Sequence, residues 1–451
     1  HVVLAYENSP FTQKLVPQIL FGARPAKGIL PVSVSTEFTQ GVGGFLNSQN
    51  RLAYGSPESV GMDAGKLDKI DEVAATMIEK KAAPGARVLV VKDGTVIFDR
   101  SYGHLDYEKT APVTSETVYD LASVTKVAAT TLAAMFLHSR GELDLSKSVG
   151  DYLPELKKTN KGPLLLKDVL VHEAGLKAFI PHYNKTLASG KWNPIYYQDS
   201  LSQDYSLPIS NAMYGRNSLR DSLWKWTIES ELLPKPHNYV YSDLTMYFMQ
   251  EIIERIVNQP INEFLEQQFY APLGLQTLTF KPFEKLPLQQ IAPTEKDQTF
   301  RNRQIQGYVH DPGAAMYGGV AGHAGLFGTA QDLAVIMQLL LNGGSYGDVA
   351  LLQPETIDAF TKRQSTRSRR GWGWDKPDPE KGKGGSAGKL APKSTFGHTG
   401  FTGTCVWADP ENKLSYIFLS NRVYPSATNT KLLDMGIRTQ IHDLIYEAIK
   451  N

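Results

Sequence analysis

Apolar residues recur at helical spacing between positions 63 and 81 (Leu67, Ile70, Val73, Ala74, Met77, Ile78), which predicts an amphipathic helix. Directly after it, "ARVLVVKDGTVIFDRSYG" (86–103) holds two β-rich runs joined at Asp93-Gly94, a hairpin pattern. "TCVWADPENKLSYIFLSNR" (404–422) predicts a second hairpin, and "KLLDMGIRTQIHDLIYEAI" (431–449) an amphipathic closing helix. The intervening stretch, roughly 121 to 345, reads as mostly helical. The expected fold class is therefore α+β. An antiparallel sheet, assembled from the two ends of the domain and flanked by helices, carries an inserted, mainly helical subdomain, with the active site in the cleft between them.

The first 40 residues have a pattern of their own. "HVVLAYE" predicts a buried strand, Ser9-Pro10 a helix start leading into "FTQKLVPQILFGA", and "GILPVSV" another strand. A strand, a helix and a strand cannot bury their apolar faces alone. Residues 41–57 are Gly-, Asn- and Ser-rich and read as a linker. The division expected is a short α/β piece with its linker over 1–50 and one large domain over 51–451. The chain opens at His1 straight into "VVLAY" and is expected to be part of a longer polypeptide.

Composition narrows the classes. Forty-seven basic and 46 acidic side chains nearly cancel, so net charge offers no argument for a nucleic acid or an anionic membrane as partner. Cys405 is the only cysteine, which excludes an intrachain disulfide and a cysteine-based zinc site. No stretch approaches the ~20 apolar residues of a membrane-spanning helix.

"LASVTKVAATTLAAMFL" (121–137) places Ser123 three residues before Lys126 at the start of an apolar helix. Ser-x-x-Lys occurs twice more, at Ser222–Lys225 among helical aromatics and at Ser386–Lys389 in a Gly- and Lys-rich loop. A serine in a first helical turn sits near free N–H groups and the positive dipole end, and a lysine one turn on can reach its Oγ. Desolvated among Val, Ala and Leu, that lysine would lose basicity and could take the serine proton. The competing reading is a capping serine followed by a snorkelling lysine. Tyr241-x-Asp243 in "NYVYSDL" offers a proton relay or, equally, a core tyrosine with Ser242 or Asp243 capping a helix. His398-Thr399-Gly400 reads as a sheet edge where glycine lets a ligand approach, or as a strand entry with a structural histidine.

The ordered set Ser-x-x-Lys, Tyr-x-Asp and His-Thr-Gly resembles the serine β-lactamase and penicillin-binding-protein superfamily, in particular its class C-like esterase, amidase and D-aminopeptidase branch. "DVLVHEAGL" (168–176) and "GGVAGHAGLFGTAQDLAVIMQLLLNGG" (318–344) are similar to that family as well, and the likeness covers about 56–451. It implies that Ser123 is acylated, that Lys126 is its proton partner, and that Tyr241 moves protons. It also implies an oxyanion hole from the N–H groups of Ser123 and Phe401, with His398, Thr399, Gly400 and Asp243 beside the substrate. The family's penicillin-processing members usually carry Lys-Thr-Gly, whose cation holds a substrate carboxylate. His398 stands in place of that lysine, which makes β-lactam and D-Ala-D-Ala activities less expected. Asp243 replaces the usual asparagine, and a carboxylate there would pair with Lys126 and keep it charged.

Residues 1–40 resemble the end of the C-terminal α/β domain of family 3 glycoside hydrolases, which include bacterial β-N-acetylglucosaminidases. The implied parent carries a glycosidase fused to a serine hydrolase. The implied substrate is a muropeptide, cleaved as by an N-acetylmuramoyl-L-alanine amidase, in the periplasm or outside. No metal or organic cofactor is expected. The alternatives are a carboxylesterase, a β-lactamase or D-aminopeptidase-type hydrolase, and a catalytically inactive wall-binding module.

Three further features carry expectations. His172, His310 and His323 read as structural or cleft-lining. The Trp- and Tyr-rich insert (191–226) reads as part of a helical subdomain, with cleft lining as the alternative. Residues 363–389, with Arg363, Arg367, Arg369 and Arg370, read as a solvated loop, with carboxylate recognition as the alternative.

Overall fold

A computed structural model describes residues 3–378, 380 and 385–450. The first helix, α1 (Pro10–Leu20), starts where Ser9-Pro10 predicts, with Ser9 Oγ accepting from the Thr12 N–H. Among the described residues, the strands expected on either side of it do not form; His1 and Val2 of the first lie outside the described residues. Residues 3–7 and 28–34 run as irregular backbone, exposed apart from a half-buried Leu30. Each lacks a partner strand, and without one an apolar run has no ladder to satisfy its backbone.

The predicted helix over 63–81 is two pieces, Ala64–Leu67 and α2 (Lys69–Glu79). A two-residue strand β1 (Ala53–Tyr54) lies parallel to one arm of the first hairpin, β2 (Gly85–Lys92) and β3 (Thr95–Gly103). Asp93 and Gly94 turn that hairpin at positive φ, the geometry that matches the right-handed twist of its strands. The second hairpin is β7 (Cys405–Asp409) and β8 (Leu414–Ser420), and β6 (Phe396–Thr399) adds an edge strand; the order across the sheet is β1-β3-β2-β8-β7-β6. A smaller three-stranded sheet joins β4 (Tyr119–Asp120) to β5 (Leu326–Gly328) and to Thr279–Phe280.

Period 2 decides what each face of the main sheet meets. Val88, Val90, Trp407, Tyr416 and Phe418 pack with Ile70, Met77, Ile441 and Ile445, so α2 and the closing helix α6 (Ile437–Glu447) cover one face. Leu89, Val91, Val406, Ile417 and Leu419 point the other way, into the larger core with α3 (Thr131–Ser139), α4 (Leu244–Val257) and α5 (Ala330–Leu341). The α+β architecture expected from the sequence is present. The inserted region is less helical than its pattern suggests: residues 187–215 form short strands around Tyr197, Ile209 and Met213. Their aromatic side chains build that small core instead of lining the main cleft.

Among the described residues of the stretch 363–389, the middle is not the solvated loop expected; residues 379 and 381–384 lie outside the described residues. Trp374 and Asp375 are buried, Arg370 is only 4% exposed, and Asp375 bridges to Gly397 of the edge strand. The segment packs over the end of β6 and brings Arg369 and Arg370 there, while Arg363 and Arg367 stay exposed.

Candidate active site

The chain leaves β4 at Asp120 and enters a 3₁₀ turn, Ala122–Val124, followed by one π turn, Lys126–Thr130, and then α3. The expected regular helix therefore begins irregularly at the residues of interest, as π turns often do at functional positions. Ala122 sits at φ +46°, a left-handed conformation costly for an L-residue, immediately before a half-buried Ser123. Lys126 Nζ donates to Ser123 Oγ at 2.8 Å and to the backbone oxygen of His323 at 3.0 Å. Its third partner is Asp243 Oδ1 at 2.7 Å.

Lys126 is fully buried. Burial works against its charge, but the Asp243 carboxylate and the Tyr241 phenol outweigh it and hold the ammonium above the usual lysine range. The lowered basicity expected from desolvation alone is thus overturned by Asp243. Nor is Asp243 a helix cap: it occupies the position before α4 without a capping bond, and Ser242 Oγ accepts from the Leu244 N–H instead. Tyr241 lies with its ring centre 5.1 Å from Lys126 Nζ and 5.1 Å from the Arg370 guanidinium, and its buried hydroxyl has no hydrogen-bond partner among the described residues.

His398 lies on β6, paired with Val406. Arg370 Nη1 donates to its Nε2 at 3.2 Å, so Nδ1 carries the proton and donates to Thr399 O at 2.8 Å. Burial, then Arg370 and Lys126, push His398 down to about 3, which fixes it neutral. The cation missing at this histidine is supplied from elsewhere in the chain by Arg370. Asp375 gives both oxygens to Arg369, at 2.7 and 2.9 Å, and lies 3.5 Å from Arg370. Arg367 instead pairs with Glu173, and Arg363 donates to the Ser368 and Thr366 carbonyls.

Gly400 must be glycine, since a side chain would run into Thr404 Oγ1 and Leu121 O. Beyond it Phe401 is 54% exposed, with the Arg422 guanidinium 4.5 Å over its ring. Among the described residues, neither the Ser123 nor the Phe401 N–H has an intramolecular acceptor. Both residues line one pocket of about 610 Å³ with Tyr241, Asp243, His323, Arg370, His398, Thr399 and Gly400.

Every one of the eight singled-out residues is thus drawn to one place, Lys126 through its bond to Ser123. The two other Ser-x-x-Lys pairs are not assembled: Lys225 is exposed on a helix, and Ser386 lines the pocket while Lys389 faces solvent. His310 and His323 line the pocket, each bonded to a carboxylate, Glu295 at 2.9 Å and Asp311 at 2.8 Å. His172 packs behind Tyr241, ring centres 4.9 Å apart. Sequence reasoning missed Asp120, whose carboxylate accepts from the Ala122 N–H; an aspartate two residues ahead of a strained position is the available signal. A buried lysine that touches both a serine hydroxyl and a carboxylate, beside a polar cleft with free N–H donors, is equipped for acyl transfer.

Comparison with known proteins identifies the family and the fold. Residues 70–435 match the family model described as "Beta-lactamase". A protein of Salmonella agona named "Putative D-alanyl-D-alanine carboxypeptidase" is 33% identical over 433 residues, covering 88% of this chain and 94% of its own. Among solved structures, EstCE1, a hydrolase with promiscuous acyltransferase activity, superposes with a TM-score of 0.60 at 21% identity, over 85% of this chain and 99% of its own. A class C β-lactamase from Rhodobacter sphaeroides gives 0.59 at 19% identity, over 84% and 99%. These two likenesses concern the fold. The family match and the Salmonella relative identify the chain as a member of the beta-lactamase family and a serine hydrolase of the β-lactamase and penicillin-binding-protein superfamily.

Proposed function

We propose that the protein hydrolyses an amide of cell-wall peptides through an acyl-enzyme on Ser123, releasing an amino acid that carries a free carboxylate. The observation that carries this is Arg370: a buried guanidinium bonded to His398 at the strand edge, on a residue that lines the pocket beside Ser123. A carboxylate next to the scissile amide fits that charge. The printed name of the Salmonella relatives supports D-alanyl-D-alanine termini as the first substrate to try.

Ser123 Oγ attacks the amide carbon while Tyr241, entering the reaction as the phenolate, takes its proton, and Lys126, kept charged by Asp243, steadies the developing negative oxygen. The N–H groups of Ser123 and Phe401 receive the oxyanion. As the C–N bond breaks, Tyr241 returns the proton to the leaving nitrogen. Water then attacks the ester, losing its proton to Tyr241, which hands that proton to Oγ as the serine leaves.

N-acetylmuramoyl-L-alanine amidase activity is the second reading, favoured by the likeness of the first residues to family 3 glycoside hydrolases. We read residues 1–50 as the tail of such a domain, separate from 51–451. Its support is the row of exposed apolar side chains there, including Phe11, Leu20, Phe21, Ile29 and Phe45. Deleting 1–50 is expected to leave hydrolysis within about twofold of the parent, because surface changes remote from a site rarely move it. A large loss would bind that segment to the hydrolase domain.

Incubation with a muramoyl-pentapeptide, followed by mass spectrometry, tests both readings. Release of terminal D-alanine supports the first, and release of intact peptide from the amino sugar supports the second. An unchanged substrate removes both.

A further inference from the structure

We propose that Asp120 is a positioning residue for the nucleophile: its buried carboxylate clasps the N–H groups of Ala122 and His310, holds Ala122 at positive φ and thereby aims Ser123 into the pocket. The inference rests on the Ser123 reading above.

Asp120 Oδ1 accepts from the Ala122 N–H at 2.8 Å, and Oδ2 accepts from the His310 N–H at 2.6 Å. The first bond is an aspartate turn closed two residues on, the local device that stabilises a left-handed residue. A left-handed alanine persists only where its surroundings over-determine it. Asp120 is 2% exposed, no salt bridge among the described residues neutralises it, and burial raises its carboxyl above the usual range. An uncompensated buried carboxylate is costly, and a fold with no use for it would do better with an apolar residue.

The backbone of the same dipeptide is tied down on its other side. Thr402 Oγ1 donates to Asp120 O at 2.7 Å, and Thr404 Oγ1 donates to Leu121 O at 3.0 Å. Leu121 N donates to Leu326 O at 3.0 Å. One residue therefore joins three walls of the pocket: the nucleophile turn, the turn carrying the Phe401 N–H, and the His310–Asp311 segment. Ser123 Oγ itself is touched by Lys126 and not by Asp120, so Asp120 acts through the backbone.

The test follows covalent labelling by a fluorescent aryl phosphonate, in which a bond forms between Ser123 Oγ and phosphorus, the aryloxide leaves, and the serine proton goes to it. The parent should be labelled at Ser123, and Ser123→Ala should not. At saturating probe, well below the melting temperature, Asp120→Asn should label about 100-fold more slowly with its half-saturating concentration little changed, since small misplacement of a nucleophile costs that much. An amide cannot accept two N–H bonds in that geometry.

Ala122→Gly in the Asp120→Asn background should recover about tenfold, because glycine holds positive φ without a clasp. A merely structural aspartate would not be rescued this way. Where Asp120→Asn does not fold, Asp120→Ala, which removes both acceptor oxygens, takes its place with the same rescue. Labelling of the aspartate variants at the parent rate, or slow labelling that Ala122→Gly leaves unimproved, overturns the role of Asp120. Absence of label from the parent overturns the Ser123 reading itself, a different failure.

Discussion

Lys126→Met is expected to bring turnover down to the level of Ser123→Ala, about 10⁴-fold or more below the parent, while the melting temperature stays at or above the parent's. Groups that act as one unit lose nearly the same rate whichever is removed, which sets the first half. Lys126 Nζ touches both Ser123 Oγ and Asp243, so no remaining side chain inherits its place. The second half follows from burial. An ammonium with no exposed surface carries a desolvation cost of several kcal/mol even after relaxation. Methionine fills similar volume without that cost, and Asp243, a quarter exposed, can be rehydrated.

The alkaline range gives an independent check. Because the folded protein holds the Lys126 charge above the usual lysine range, its contribution to stability is complete below the unfolded value, about 10.4. It is lost as pH rises through the folded value. Urea unfolding of the parent should therefore weaken above about pH 10.4 relative to Lys126→Met. Retained turnover in Lys126→Met, within tenfold of the parent, would remove lysine from the reaction.

What could be read from the chain followed distance along it. Both hairpins, the closing helix and the Ser9-Pro10 helix start are local patterns, and local patterns survive folding. The strands at 3–7 and 28–34 fail because β-structure depends on a neighbour that the pattern cannot name. Ser123 and Lys126 were legible as one turn of one helix. Whether that lysine is neutral or charged was not, since Asp243 stands 117 positions away and decides the sign. Arg370 was hidden for the same reason. Among Gly, Ser and Arg it reads as solvent-facing, and only the packing of Trp374 and Asp375 under the edge strand turns the segment inward.

Arg370→Gln is expected to lower kcat/KM on a peptide ending in a free carboxylate by about 10²- to 10³-fold, and to collapse its advantage over the same peptide ending in an amide. Truncating one side of a buried, hydrogen-bonded charge pair costs about 2–5 kcal/mol, a range that brackets that factor. Arg370 has the means to supply it. Asp375, 3.5 Å from its Nε, offsets part of its charge but gives its two short bonds to Arg369. Tyr239 and His398 fix the guanidinium from the sides, at 3.1 and 3.2 Å, so little rotamer entropy is lost on binding. His398 cannot substitute: at about 3 its basicity is too low for it to carry charge near neutrality. Adding His398→Lys to Arg370→Gln returns a cation to the strand edge and should restore part of the preference for the carboxylate. If the ratio of carboxylate to amide substrate is the same in the parent and in Arg370→Gln, the carboxylate is held by another group and the carboxypeptidase reading loses its support.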